Sequence, residues 1–120
     1  MRISVETKGG IAILKISERM LFDETLFLLR RHVQDALASG IRRFILDISE
    51  VPSLDSSGCG ELICVHTSIA RVQGSLAIVN PQQRVRLLLD RIKLNQILNI
   101  VDSLEQAETI VRSSTHPGVS

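Results

Sequence analysis

The residues whose types and spacing point most directly to chemistry form one short segment, Asp55 to Gly60, with the sequence Asp-Ser-Ser-Gly-Cys-Gly. This segment combines a carboxylate, two hydroxyls and two glycines, which predicts a tight turn with exposed hydroxyls at the start of a helix. A helix N-terminus offers unpaired backbone N–H groups and the positive end of the helix dipole. An anion is stabilised at such a place, and a phosphate attached to a serine would be one.

The same segment also has a plainer interpretation. Asp55, Ser56 or Ser57 could simply cap the helix, with the glycines admitting close packing, because Asp and Ser are preferred N-cap residues. Spacing alone favours capping over modification. The two interpretations are compatible, since a serine at a helix start is satisfied before modification and electrostatically favoured after it.

Two predicted elements position this segment. The run Phe44 to Ile48 is nearly continuous in apolar residues, as expected of a central strand covered on both faces, and Pro52 ends it. A helix is predicted from Ser57 to Gln73, stopped by Gly74. Loops beyond the carboxyl ends of strands form the usual functional edge of an α/β sheet, so the segment stands where function is expected.

The remaining elements alternate around this pair. Gly9-Gly10 between two strand-like runs predicts an antiparallel hairpin. We further predict strands over Ile11–Ile16, Leu76–Val79 and Ile97–Val101. Three more helices are predicted between and after them. The first is capped by Asp23 and runs to Ser39, the second is capped by Asn80 with Pro81 at its first position, and the last opens with a Ser103–Gln106 capping box and ends near Arg112. The order implies one α/β domain over residues 1–113, with a mixed, mostly parallel sheet, an N-terminal antiparallel strand and about four helices. Residues 114–120 are expected to fray.

Composition excludes several classes of function. The 120 residues carry a net charge of +1 with neither Trp nor Tyr, so the chain offers little attraction or stacking surface for nucleic acid. The hydrophobic fraction of 44% argues against disorder. Two cysteines in an apolar stretch favour a reduced compartment, and aliphatic or aromatic runs are too short for a membrane span. We expect a soluble cytoplasmic protein with no membrane insertion.

The pattern from Leu46 to Gly60, which reads Leu-Asp-Ile-Ser-x-Val-x-x-Leu-Asp-Ser-Ser-Gly-x-Gly, resembles the signature of STAS domains, specifically that of the bacterial anti-sigma factor antagonists. The resemblance continues through Leu76–Asn80 and Val85–Leu89 and ends with Ile100–Ala107. It covers nearly the whole chain, and the position of the motif after a central strand makes it specific.

The resemblance implies a phosphorylation-controlled binding module that is not an enzyme. Ser57 would accept phosphate from an anti-sigma factor that is also a Ser/Thr kinase, and Asp55 would hydrogen-bond near the hydroxyl and organise the loop. Ser56, Gly58 and Gly60 would shape the partner-binding surface. The unphosphorylated form would bind the anti-sigma factor and free the sigma factor, and a Ser/Thr phosphatase would reset the switch. No cofactor or metal is implied, and we expect a monomer or weak dimer.

The chain departs from the family pattern at two places. Cys59 replaces a larger aliphatic residue between the motif's glycines. Met20, Leu21 and Phe22 form an apolar cluster near the same edge, which either contacts a partner or, as we favour, lies under the first long helix. These differences bear on the identity of the partner and leave the fold assignment intact.

Alternative functions have weaker support. Ser57 lacks a Gly-x-Ser-x-Gly context, and His32 and His66 fall inside predicted helices, where packing or surface roles are commoner than catalysis. We interpret Cys59 and Cys64 as small buried hydrophobes and not as metal ligands. The basic residues near the third helix are expected to form a solvated helix surface; they are Arg84, Arg86, Arg91 and Lys93. STAS domains also occur as scaffold subunits of signalling assemblies and as small subunits of ABC-type lipid-transport systems, and these remain alternatives.

Overall fold

The computed structural model describes residues 2–18 and 27–113, and within them the predicted order of strands and helices is confirmed. The elements are β1 (Arg2–Lys8), β2 (Ile11–Ser17), α1 (Phe27–Ala38), β3 (Arg43–Glu50), α2 (Ser56–Arg71), β4 (Ser75–Val79), α3 (Gln83–Arg91), a 3₁₀ turn (Leu94–Gln96), β5 (Asn99–Val101) and α4 (Leu104–Ser113).

The strands form one sheet in the order β1-β2-β3-β4-β5. β1 pairs antiparallel with β2, and the other neighbours are parallel. Gly9 and Gly10 join β1 to β2 with φ angles of 57° and 80°, the left-handed pair that a two-residue hairpin turn requires. The predicted mixed sheet and its hairpin are therefore confirmed.

Two apolar layers cover the sheet. Side chains of β2, β3 and β4 that point to one face form a single core with α1, α2 and α3, as expected when successive right-handed crossovers advance in one direction. On the other face, Ala107 and Val111 of α4 pack against Ile45 and Val79. β3 is thus covered on both sides, as its apolar run predicts.

The three crossover helices end alike. Each is followed by a left-handed residue two positions after its end: Gly40 (φ 99°), Gln73 (φ 61°) and Lys93 (φ 64°). After α2, the N–H of Gly74 donates to the carbonyl of Ile69 at 2.9 Å, which completes a Schellman motif. Only one of the three left-handed positions is a glycine.

The prediction that Asn80 caps α3 is wrong. Asn80 is left-handed (φ 56°), and its N–H donates to the Val101 carbonyl at 2.7 Å beside the end of β5. Because the sheet engages the backbone of Asn80, the helix begins later, at Gln83, with Gln82 as its N-cap.

The last strand is shorter than predicted, since β5 begins at Asn99 and not at Ile97. The preceding 3₁₀ turn explains the difference, because the N–H groups of Ile97 and Leu98 both donate to the carbonyl of Leu94. Their backbone bonds are therefore made within the turn.

The capping box of α4 is confirmed in a modified form. The Ser103 hydroxyl accepts from the Gln106 N–H at 3.2 Å. The Gln106 side chain accepts in return from the N–H of Asp102 at 2.9 Å, one residue earlier than in the usual box.

Some predictions fall on residues that lie outside the described ranges. These are the cap at Asp23, the apolar cluster of Met20, Leu21 and Phe22, and the fraying of residues 114–120.

Gly74, in the turn after α2, lies too close to its neighbours for a side chain. A Cβ added at Gly74 would lie 2.6 Å from the Arg42 carbonyl oxygen and 2.7 Å from Cγ2 of Ile69. We expect Gly74→Ala to lower the free energy of unfolding by about 1–3 kcal/mol through overpacking. The control Gly60→Ala meets no atom within 4 Å in the helical part of α2 and should raise it by about 0.5–1 kcal/mol. Urea denaturation measures both, and equal stability of the two variants would contradict the assigned contacts.

Candidate functional site

The start of α2 is fixed by the loop that leaves β3. Val51 and Leu54 are buried and anchor this loop in the core. Asp55 then takes an extended conformation as the N-cap, and its Oδ1 accepts from the Gly58 N–H at 3.0 Å. Its backbone carbonyl accepts from the Cys59 N–H at 2.9 Å. Of the three candidate caps, Asp55 makes the side-chain cap bond.

The two serines of the motif are left free by this arrangement. Ser56 is exposed and Ser57 is half-buried, at the first and second positions of α2. Among the described residues, no protein group hydrogen-bonds to either hydroxyl. The Ser57 hydroxyl therefore lies at a helix N-terminus without a structural role that modification would disrupt.

The two motif glycines have different surroundings. Gly58 is buried, but at Gly60 an added Cβ would meet no atom within 4 Å. Close packing therefore does not explain Gly60. The absence of a side chain at Gly60 leaves a shallow depression on the surface of α2 beside the serines.

The exposed face of α2 is uncharged. Between Ser56 and Ala70 the only formally charged side chain is Glu61, and it is 3% exposed. The exposed or partly exposed positions on this face are Ser56, Gly60, Ile63, Cys64 and Thr67. Depletion of charge is typical of the central part of protein–protein interfaces. This face, which we call the α2 face, is therefore suited to a protein partner.

The two cysteines lie in different environments. Cys59 is buried, and burial, with the nearby charge of Asp55, raises the pKa of its thiol, which favours the protonated form. Cys64 is exposed, so the prediction that both are buried is wrong for Cys64. Five residues correspond to about 140° around a helix, which places the two thiols on different faces.

An ion pair joins α1 to α2 next to the motif. The guanidinium of Arg30 donates to both carboxylate oxygens of Glu61, at 2.8 and 3.1 Å. The hydrogen bond to Glu61 raises the pKa of Arg30 above its ordinary value. The Phe27 ring lies 5.7 Å from the guanidinium carbon. This pair is not among the predictions from the sequence, where its one signal is a carboxylate on the apolar side of α2.

A groove of about 560 Å³ adjoins the loop on the side of α3. Leu54, Val85 and Leu88 contribute apolar surface, while Arg84 and Arg91 bring positive charge to the same groove. The predicted solvated basic surface is confirmed, since Arg84, Arg91 and Lys93 are exposed and Arg86 is half-buried. Two of them border this groove, and Arg86 pairs with Asp102.

Polar bonds hold the neighbouring connection in place. The Asp47 carboxylate accepts from the hydroxyl of Ser49 at 2.7 Å and from its N–H at 3.0 Å. The Gln82 side chain donates to the Ser49 carbonyl at 3.0 Å. These bonds tie the start of α3 to the end of β3 and so fix this edge of the sheet.

Other kinds of site find no support in the part of the chain that the structure describes. There, no three His, Cys, Asp or Glu side chains are grouped as metal ligands would be. Likewise, none of the helices within residues 2–18 and 27–113 has the length and apolar character needed to cross a bilayer.

Comparisons with known proteins agree with the fold. The model of the STAS domain family matches residues 2–107. A Thermotoga neapolitana protein, named as a candidate anti-sigma factor antagonist, is 30% identical over 94 residues, which is 78% of each chain. The crystal structure of a Thermotoga maritima protein described in the same way is 27% identical, with a TM-score of 0.84 over 92% of this chain and 94% of that one.

A more distant structure shares the fold alone. SpoIIAA of Bacillus, in its phosphorylated form, is 18% identical with a TM-score of 0.70 over 94% of this chain and 100% of that one.

The ion pair between the helices should contribute to stability. Arg30→Ala would leave the Glu61 carboxylate buried without its partner, and we expect a loss of roughly 2–4 kcal/mol in the free energy of unfolding. The paired variant Arg30→Met with Glu61→Gln leaves no unpaired charge and should lose less than half as much. Urea denaturation tests this, and an equal loss in both variants would show that the pairing itself is not what matters.

Proposed function

The chain belongs to the STAS domain family, and on that premise we propose that it is an anti-sigma factor antagonist controlled by phosphorylation of Ser57. In the unphosphorylated form it binds an anti-sigma factor that is also a Ser/Thr kinase, and the sigma factor is released. Phosphate on Ser57 prevents this binding, and a Ser/Thr phosphatase restores it. The protein acts by binding and is the substrate, not the catalyst, of the phosphoryl transfer.

One observation carries this proposal: the free hydroxyl of half-buried Ser57 lies at the border of the uncharged α2 face, where α2 begins. Asp55 caps the helix, so the fold does not need the hydroxyl. A partner that covers the α2 face would also reach Ser57, because Ser57 adjoins Ser56 and lies one helical turn before Gly60, at the border of that face.

The charge of the phosphate accounts for the switch. A serine phosphate adds about −1.5 to −2 charges at neutral pH. An apolar or weakly polar surface of the anti-sigma factor would remove water from that charge and offer no cation of its own in return, which is costly. We therefore expect phosphorylation to weaken binding by at least about 100-fold, which corresponds to roughly 3 kcal/mol.

The fold should tolerate the same phosphate. The first turn of a helix has unpaired N–H groups, and the helix dipole favours an anion there. SpoIIAA has been solved in an unphosphorylated and a phosphorylated form, and this chain shares the fold of each with a TM-score of 0.70. The switch thus needs a change in surface charge and not a change of fold.

The acceptor can be tested directly. We expect incubation with ATP and a candidate kinase encoded beside this chain to add one phosphate, detected by intact mass. Ser57→Ala should abolish the addition, while the control Ser56→Ala, one residue away and more exposed, should retain it. Tight binding to the candidate without any phosphate would instead favour the scaffold or transport-subunit alternative.

The partner surface can be tested with a matched pair of substitutions. Ile63 on the α2 face and Leu104 on α4 are exposed to similar extents, 38% and 42%. We expect Ile63→Glu to weaken binding to the same anti-sigma factor at least about 10-fold, because it places a charge in the contact. Leu104→Glu should change it less than about 2-fold. Calorimetric titration measures both, and similar losses would argue against the α2 face.

A further inference from the structure

We propose that Arg30 is the phosphate-binding residue of the modified protein: its guanidinium contacts the phosphate on Ser57 while it keeps its bonds to Glu61. The inference rests on the proposed phosphorylation of Ser57 and names the side chain that receives the phosphate. Arg30 would then bridge two anions and fasten α1 to the start of α2.

The helix geometry brings these groups together. Ser57 and Glu61 are four residues apart, so they lie on the same side of α2, about 5–6 Å apart at Cβ. Helical side chains lean towards the N-terminus, which places the Glu61 carboxylate over the turn that contains Ser57. Arg30 binds that carboxylate at 2.8 and 3.1 Å, which would bring its guanidinium within reach of a phosphate on Ser57.

The guanidinium has donors left for a second anion. It carries five N–H groups, of which Glu61 takes two, through Nε and Nη2. The Cys64 thiol is a second neighbour, and it makes a smaller contribution to the raised pKa of Arg30. The Arg30 side chain is 37% exposed, so its remaining donors need not lose their full hydration before they meet a phosphate.

Arg30 is also held in place before the phosphate arrives. The fork to Glu61 fixes it on one side, and the Phe27 ring lies 5.7 Å away. Loss of the bond between Arg30 and Glu61 would be costly, because Glu61 is only 3% exposed and a buried carboxylate without a partner is strongly destabilising. Bridging is therefore favoured over an exchange of Glu61 for the phosphate.

The surrounding charges show why such a contact matters. The charged groups that adjoin this turn include Asp55 in the loop, Glu61 on α2 and Arg30 on α1. A phosphate would thus face two carboxylates. Arg30 is the cation that offsets them, and its planar fork suits a phosphate better than a point charge would.

The test places phosphoserine at position 57 by genetic encoding, so that no kinase or partner is needed. The second ionisation of the phosphate is followed by ³¹P NMR in the full chain. The paired variant Arg30→Met with Glu61→Gln removes a cation and an anion together, so distant electrostatic effects nearly cancel and a change reports contact. The control is Arg31→Met, the next residue of α1, which is exposed.

We expect the paired variant to raise the phosphate pKa by at least about half a unit, a threefold change in proton affinity. Arg31→Met should leave it within about 0.1 unit, a change near 0.1 kcal/mol. Unchanged titration in the paired variant, or an equal shift in Arg31→Met, would overturn the assignment.

A second measurement needs no substitution of Arg30. Its side-chain N–H resonance should move when phosphoserine replaces Ser57, and an unmoved resonance would also overturn the assignment. Because the phosphate is encoded and not transferred, failure of this contact is distinguishable from failure of the kinase reaction.

Discussion

The parallel pairing of β3 between β2 and β4 is the constraint on which the rest of the structure depends. Alternate side chains of β3 enter two different cores, Phe44 and Leu46 beneath the crossover helices and Ile45 beneath α4. Because parallel neighbours require crossovers, the loops that leave the strands collect at one edge of the sheet. The loop with Asp55 leaves the most enclosed strand, so its position is set by the whole fold.

Within that loop, Asp55 supplies the cap, and neither serine is needed for it. Asp55 makes the cap bond that a helix start needs, and Ser57 is left with an unengaged hydroxyl. The pair of Arg30 and Glu61 ties α2 to α1 from the buried side. Because the one carboxylate of α2 is buried in this pair, the α2 face carries no charged side chain of its own.

Most of the fold could be predicted because its signals are local. Gly9-Gly10 required a turn, and apolar periodicity separated helices from strands. The loop at Asp55 was found because its residue types are concentrated in sequence. The pair of Arg30 and Glu61 could not be found in this way, since the partners are 31 residues apart and meet only when two helices pack. The cap at Asn80 failed because a bond to the neighbouring strand outweighed the residue's own preference.

The left-handed residues that follow the crossover helices lie at the edge of the sheet opposite Ser57. Gln73 and Lys93 hold a conformation that glycine adopts more easily, at a cost of about 1 kcal/mol each. Glycine at either position is therefore expected to stabilise the fold, and both positions are remote from the α2 face. If a new partner required destabilising substitutions on α2, glycine at these two turns could restore the lost stability during evolution. The compensating changes themselves would not alter any residue of the α2 face. The capacity of the binding surface to change during evolution therefore depends in part on the turns at the opposite ends of α2 and α3.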